Sequence, residues 1–235
     1  MFEMSLGDSL PNVTLSYKHK EIRLHDVITG HWSLVMYVEG ACLTVSLQGL
    51  RNQLRDDPSF LPPYARILGL CETPFSELGA KERALVRELQ DIGPFSFFAD
   101  QRMRSVFGFG MHQGIRNTSA SGDCAANTQN RVFWVVTPDR RIQAVWNFPL
   151  IIDANFVEFG RVIRALKTTY GLPLATPANW TDGADLLILP SLSDTEAQQR
   201  YGRFKKVLSY FRQVPVDQVL KARTPKNDAQ NSVDE

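Results

Sequence analysis

The chain has 235 residues, 43% of them hydrophobic, and its 26 basic and 25 acidic residues leave a formal net charge of +1. This length suits one large domain, or one domain with a small appendage, and the apolar fraction excludes an intrinsically disordered chain. The balanced charge gives no reason to expect nucleic acid or an anionic membrane surface as a partner.

The sequence carries no targeting or membrane-spanning pattern. Its start, MFEMSLGDSLPN, lacks the basic and apolar regions of a signal peptide. No apolar run approaches the roughly 18 residues that a membrane helix needs. We therefore expect a cytoplasmic protein with no membrane partner, in which the three cysteines are free thiols.

The first half of the chain alternates between predicted strands and helices. NVTLSYK alternates as a short strand does, and SLVMYV is a continuous apolar strand of the kind that is buried on both faces. Leucines at 43, 47, 50 and 54 follow at helical spacing. A second buried strand, ARILGLC, precedes a long helix predicted between Ser76 and Gly93, and FSFFAD is a further short strand.

The second half begins with a loop rich in Gly, Ser, Asn and Thr, from Gly108 to Asn130. RVFWVVTPDRRIQAVWNF predicts two strands joined by a turn at Pro138. An amphipathic helix follows, capped by Asn155 and ended by Gly171. The order of elements predicts a mixed α/β sheet, with two parallel crossovers first and an antiparallel hairpin and helix last.

This order is the thioredoxin-like plan with an extra strand in front. We expect a thioredoxin-like domain over residues 1–171 and a small α+β C-terminal domain over residues 172–223. The polar segment 224–235 is expected to be a flexible tail.

Several spaced motifs resemble the one-cysteine peroxiredoxins of the AhpC/TSA superfamily. ATPANWTDGADLLILPSLSDTEA resembles their C-terminal domain, NRVFWVVTPDRRI their last hairpin, and LHDVITGHW the segment before their first core strand. The resemblance covers roughly residues 4–215. It implies a thioredoxin-like peroxiredoxin fold with a C-terminal extension, and a homodimer in which that extension covers the partner's active site.

The family reduces peroxides with a cysteine thiolate, which is oxidised to a sulfenic acid. Its motif, P-x-x-x-T-x-x-C, follows the first core strand. Aligned without gaps from Trp32, the cysteine position falls on Ser46, the threonine position on Leu43 and the proline position on Glu39. The family's activating arginine matches Arg131. Because a hydroxyl cannot form a sulfenic acid, the resemblance implies a site that has lost its peroxidatic cysteine.

Cys42 is the alternative nucleophile, since a four-residue gap would place it at the peroxidatic position; otherwise it is a small buried residue. Ser46 is a hydrogen-bonding group in an inherited pocket, a covalent nucleophile with no base identifiable beside it, or a helix residue that bonds local backbone. A buried Arg131 needs a partner, which is Glu39, another carboxylate, or an anionic or carbonyl-bearing ligand.

Three further side chains are candidates for binding a substrate. Leu43 would make the pocket more apolar, Tyr37 would line it from the first core strand, and His31 is either a general acid–base or a surface histidine. His112 and Cys124 lie in the long loop, and their spacing matches no metal-ligand pattern, so we expect neither a metal nor a cofactor.

Three hypotheses follow. In the first, the protein is not a thiol peroxidase, and its inherited pocket, which includes Ser46, binds a small molecule and catalyses a non-redox, biosynthetic step. Arg131 would polarise a carbonyl or hold a carboxylate, and Glu39 or His31 would move a proton. In the second, Cys42 and Arg131 form a working thiol-dependent peroxidase. In the third, the protein is a non-catalytic dimeric scaffold.

Overall fold

The computed structural model describes residues 4–17, 20–38, 41–99, 131–149 and 151–223. The chain divides into two compact units, Met1–Ile163 and Arg164–Glu235, so the first ends a few residues before the predicted domain boundary. Three predictions concern residues outside the described ranges: the site role of Glu39, the loop with His112 and Cys124, and the tail.

Seven strands of the first unit form one mixed sheet. They are β1 (Thr14–Tyr17), β2 (Lys20–Arg23), β3 (Trp32–Tyr37), β4 (Ala65–Cys71), β5 (Phe95–Ala99), β6 (Arg131–Val136) and β7 (Ile142–Phe148). Their order in the sheet is β2-β1-β5-β4-β3-β6-β7. Strands β3, β4 and β5 run parallel, whereas β6 and β7 form an antiparallel hairpin. This is the predicted order of connections.

Among the described residues of the first unit, four α-helices begin: α1 (Leu24–Ile28), α2 (Ala41–Asp56), α3 (Ala80–Ile92) and α4 (Phe156–Thr169). In α2 the four leucines at helical spacing are all buried, so the predicted apolar stripe is the face that packs against the protein. Asn155 caps α4 as predicted, because its Oδ1 accepts the backbone N–H of Glu158 at 3.4 Å.

The predicted start of the long helix is wrong by one turn. Ser76 and Glu77 lie in a turn after Pro74, whose carbonyl accepts the Glu77 N–H at 2.9 Å, and α3 begins only at Ala80. Gly79 is the N-cap, in an extended conformation and without a side-chain cap. Ser76 is a favourable capping residue, but Pro74, two residues before it, favours a turn at this position instead of the start of a helix.

The two faces of the sheet carry different elements. Tyr37 on β3 and its partner Val132 on β6 belong to one core cluster, together with Leu10, Leu24 and Ile28 from the segments around α1. Since side chains alternate along a strand, Arg131 and Phe133 of β6 point to the opposite face. There Phe133 packs against Phe156 and Phe159 of α4.

The second unit contains a four-stranded sheet, in the order β10-β11-β9-β8. Its elements are β8 (Leu174–Ala175), β9 (Leu186–Ile188), α5 (Asp194–Tyr201), β10 (Lys205–Lys206), β11 (Arg212–Val214) and α6 (Val216–Arg223). Trp180 is the largest side chain of its core, and Ser193 and Glu196 form a capping box at the start of α5. Arg212 is buried and donates to Asp194 at 2.9 Å.

Candidate functional site

The candidate site lies where β3 ends and α2 begins. Cys42 is in the first turn of α2 and Ser46 lies one turn further along, and both side chains are fully buried. A residue in this position is close to the N-terminal end of a sixteen-residue helix, where partial positive charge accumulates. The local fold therefore retains the kind of position that suits an anionic group.

The polar group that meets Ser46 is Asp153, in the segment before α4. Ser46 Oγ donates a hydrogen bond to Asp153 Oδ1 at 3.2 Å. The same oxygen accepts the backbone N–H of Ala154 at 2.8 Å and lies 3.6 Å from Arg131 Nε. One carboxylate oxygen therefore joins the helix, the sheet and the α4 segment.

Arg131 is the first residue of β6, and only 3% of its side chain is exposed. Its guanidinium also donates to the backbone carbonyls of Pro149 and Ile152, the former at 3.5 Å. A buried guanidinium is stable only when a carboxylate and hydrogen-bond acceptors compensate it. From the sequence, the partner of Arg131 was expected to be either a carboxylate or a ligand. In the structure, Asp153 is a carboxylate partner of Arg131.

Burial raises the pKa of the Cys42 thiol above its ordinary value of 9.0. The positive charge of Arg131 lowers that pKa, and the negative charge of Asp153 raises it, but burial is the largest effect. The net direction is opposite to what a thiolate nucleophile needs at neutral pH. Cys42 and Cys71 are both buried, and neither forms a disulfide bond.

Not all of the predicted substrate-binding residues come together. Leu43 is buried in α2 next to Cys42. Tyr37 packs into the core cluster on the face of the sheet opposite Arg131. His31 precedes β3, whereas Ser46 follows it, and six strand residues span roughly 20 Å. The structure therefore brings Ser46 and Arg131 to Asp153, with Cys42 in electrostatic range of both charges, but it does not bring His31 or Tyr37 to them.

A second contact anchors the first turn of α2. Thr44 Oγ1 donates to Glu82 Oε1 at 2.7 Å, which links α2 to the first turn of α3. This hydrogen bond is the main reason that the pKa of Glu82 lies below its ordinary value of 4.5. The contact holds the turn that carries Cys42 and precedes Ser46.

Asp153 is the residue that the sequence reasoning missed. It stands in DANFVE, the segment that precedes α4. A carboxylate in that segment was the available signal, because a buried arginine had already been expected to need one. Among the described residues, no group of three or more His, Cys, Asp or Glu side chains could hold a metal ion.

Comparison with solved structures assigns the fold to a class. The chain superposes on a yeast mitochondrial 1-Cys peroxiredoxin with a TM-score of 0.70 at 19% identity, covering 90% of this chain and 99% of that one. For a mutant of the Peroxiredoxin 6 of Arenicola marina the TM-score is 0.67 at 20% identity, with coverages of 90% and 98%. The fold is thus a thioredoxin-like peroxiredoxin fold with a C-terminal β-rich domain.

Sequence comparison shows which peroxiredoxins the chain is similar to. Residues 165–203 match the family described as the C-terminal domain of 1-Cys peroxiredoxin. The chain is 23% identical to 1-Cys peroxiredoxin A of Oryza sativa subsp. japonica, over 84% of this chain and 89% of that protein. It is 26% identical to Peroxiredoxin-6 of Rattus norvegicus, over 89% and 96%. The chain is thus similar to 1-Cys peroxiredoxins over most of its length, and residues 165–203 match the model of their C-terminal domain.

Among the residues that the structure describes, none of the helices is both long and apolar enough to cross a bilayer.

Proposed function

We propose that this peroxiredoxin-like protein is not a thiol peroxidase, and that its inherited site binds a small organic molecule and carries out a non-redox, biosynthetic step. The observation that carries this proposal is the contact of Ser46 Oγ with Asp153 Oδ1, an oxygen that also faces Arg131. In the ungapped alignment with the family, Ser46 takes the place of the peroxidatic cysteine. A hydroxyl bonded to a carboxylate at that position supports a site without a thiolate.

The electrostatics of the cluster support this proposal. A peroxidatic thiolate is stabilised by uncompensated positive charge nearby. Here the charge of Arg131 is balanced by Asp153 at 3.6 Å, so that a thiolate at this position would face a carboxylate as well as a guanidinium. The site therefore favours a neutral partner over an additional anion.

Asp153 is the group in the cluster that is best suited to act on a ligand. About 29% of its side chain is exposed, against 3% for Arg131, so it alone of the pair is open to solvent. A carboxylate held in place by two hydrogen bonds and an ion pair can accept a further hydrogen bond or take a proton from a bound molecule. Ser46 and Arg131 then act as positioning residues, because they fix the orientation of the carboxylate. No role is assigned to Glu39, which lies outside the described residues.

A peroxidase that uses Cys42 with Arg131 is the second candidate. The observation in its favour is that the charge of Arg131 lowers the pKa of the Cys42 thiol. Burial and Asp153 act in the opposite direction, and burial is the larger effect. For this reason the non-redox site is our first proposal.

Peroxide turnover with a thiol donor, measured for the wild type and for Cys42→Ser, tests the proposal. We expect no thiol-dependent turnover in either protein. Turnover that disappears with Cys42 would support the peroxidase instead. A non-catalytic scaffold would show neither turnover nor binding of small molecules at Asp153.

By resemblance we further propose a cytoplasmic homodimer. Light scattering of the purified protein would test whether it is a dimer.

A further inference from the structure

The two oxygens of Asp153 have different surroundings. Oδ1 accepts from Ser46 and Ala154 and faces Arg131. For Oδ2 the structure gives no hydrogen bond within the described part of the chain. With respect to the residues that the structure describes, this oxygen therefore has its acceptor capacity available, while Oδ1 is held by its partners.

Gly49 keeps the space beside Oδ2 open. It lies in the interior of α2, where glycine is the least favourable residue apart from proline. A Cβ at this position would lie 3.7 Å from Asp153 Oδ2 and 3.4 Å from Phe156 Cε2. These are ordinary van der Waals distances, so alanine would fit without a clash. The glycine is thus not required by packing, and its effect is to leave a niche between Oδ2 and the ring of Phe156.

The two segments that form this niche also carry exposed apolar side chains. Val45 precedes Ser46 on α2, Ile151 and Ile152 precede Asp153, and Val157 follows Phe156. All four are exposed, with Ile151 at 89%. Exposed apolar residues that cluster around a polar group are typical of binding sites rather than of ordinary surface.

We propose that the ligand of this site is a neutral molecule with one hydrogen-bond donor, such as an alcohol, and an apolar body. This inference rests on the proposed small-molecule function of the same site. The donor would bond to Asp153 Oδ2 in the niche at Gly49, while the apolar body would cover Val45 and Ile152. The head group is neutral because Arg131 already balances the charge of Asp153. An ammonium would add a second cation beside that buried guanidinium, and a carboxylate would face Asp153 directly.

Four probes with the same ring and different head groups test this specificity: benzyl alcohol, benzylamine, benzoate and toluene. Binding to the full-length protein is measured at neutral pH by ligand-observed NMR and calorimetry. We expect benzyl alcohol to bind about tenfold more tightly than toluene, because toluene cannot donate a hydrogen bond to the charged carboxylate. Benzylamine and benzoate are expected to bind no better than toluene.

Two variants locate the binding. Gly49→Ala should fold and be more stable than the wild type, because alanine is favoured in a helix, yet its methyl group occupies the niche and should weaken benzyl alcohol about tenfold. Gln48→Ala is the matched control, since this neighbouring α2 side chain bonds only to Asn52 within the described residues. It should leave the affinity unchanged.

Some outcomes would overturn the inference alone. If benzylamine or benzoate binds best, or if Gly49→Ala binds benzyl alcohol as the wild type does while Asp153→Asn loses it, a small-molecule site remains but its ligand class is wrong. If no probe binds to the wild type, both the inference and the small-molecule function fail. Thermal unfolding of Gly49→Ala shows separately that the variant is folded.

Discussion

Ser46 Oγ lies 3.2 Å from Asp153 Oδ1, although 107 positions separate the two residues in the chain. The contact lies near the N-terminal end of α2, and Arg131 compensates the charge of the carboxylate. In our proposal, this hydroxyl–carboxylate pair stands where the family has its thiolate. The opposite charges of Arg131 and Asp153 balance each other, so that the cluster as a whole is neutral.

Asp153→Asn should destabilise the protein by about 2 kcal/mol, because it leaves the buried Arg131 guanidinium without its counter-charge. The expected cost is below that of a fully buried pair because Asp153 is partly exposed. Urea unfolding of the purified variant measures it.

Asp139→Asn is the matched control. It breaks the Arg141–Asp139 pair, which has the same 3.6 Å separation but side chains that are 56% and 52% exposed. Exposed pairs contribute roughly 0–1 kcal/mol, so this change should have little effect. Equal costs for the two variants would contradict the compensating role of Asp153.

Ser46→Cys should not restore a fast peroxidatic thiol. The carboxylate of Asp153 lies within hydrogen-bond distance of this position and would raise the pKa of the introduced thiol. Adding Asp153→Asn removes that charge, and we expect the double variant to react with hydrogen peroxide about tenfold faster, as a one-unit fall in the thiol pKa would allow. Oxidation followed by mass spectrometry measures both rates. A single variant that reacts as fast as the double variant would count against the neutralised site.

Thr44→Val should lower stability at neutral pH by about 1 kcal/mol, because it removes the hydrogen bond to Glu82. Since that bond lowers the pKa of Glu82 in the folded protein, its stabilisation is present above the ordinary pKa of 4.5 and is lost as the pH falls below it. The difference between wild type and variant should therefore shrink below about pH 4.5. Thr44→Ser keeps the hydroxyl and should behave like the wild type. A difference that is independent of pH would mean that lost packing, and not the hydrogen bond, explains the effect.

The sequence was sufficient for most of the fold, because periodic apolar patterns identify the elements that build the sheet. The leucines of α2 and the continuous apolar run of β3 were interpretable from neighbouring residues alone. The predicted start of α3 was wrong because the chain forms a turn at Pro74, although Ser76 is a good capping residue.

The site was only partly predictable. Ser46, Leu43 and Arg131 followed from motif spacing, and the structure places Ser46 and Arg131 at the same carboxylate. The sequence indicated that Arg131 needs a partner but not that Asp153 is that partner, since Ser46 and Arg131 come from α2 and β6 and only the folded chain brings them to Asp153. His31 was close to the motif in sequence but lies at the other end of β3, because an extended strand carries its two ends far apart.

The most direct test of the central claim is the oxidation state of Cys42 after treatment with hydrogen peroxide. The wild-type protein is exposed to a small molar excess of peroxide with a sulfenic-acid trapping reagent, and the Cys42 peptide is analysed by mass spectrometry. Because burial raises the pKa of this thiol, we expect the peptide to remain reduced and untrapped while a free small thiol at the same pH is consumed. Rapid, stoichiometric trapping at Cys42 would contradict the account and identify the protein as a thiol peroxidase.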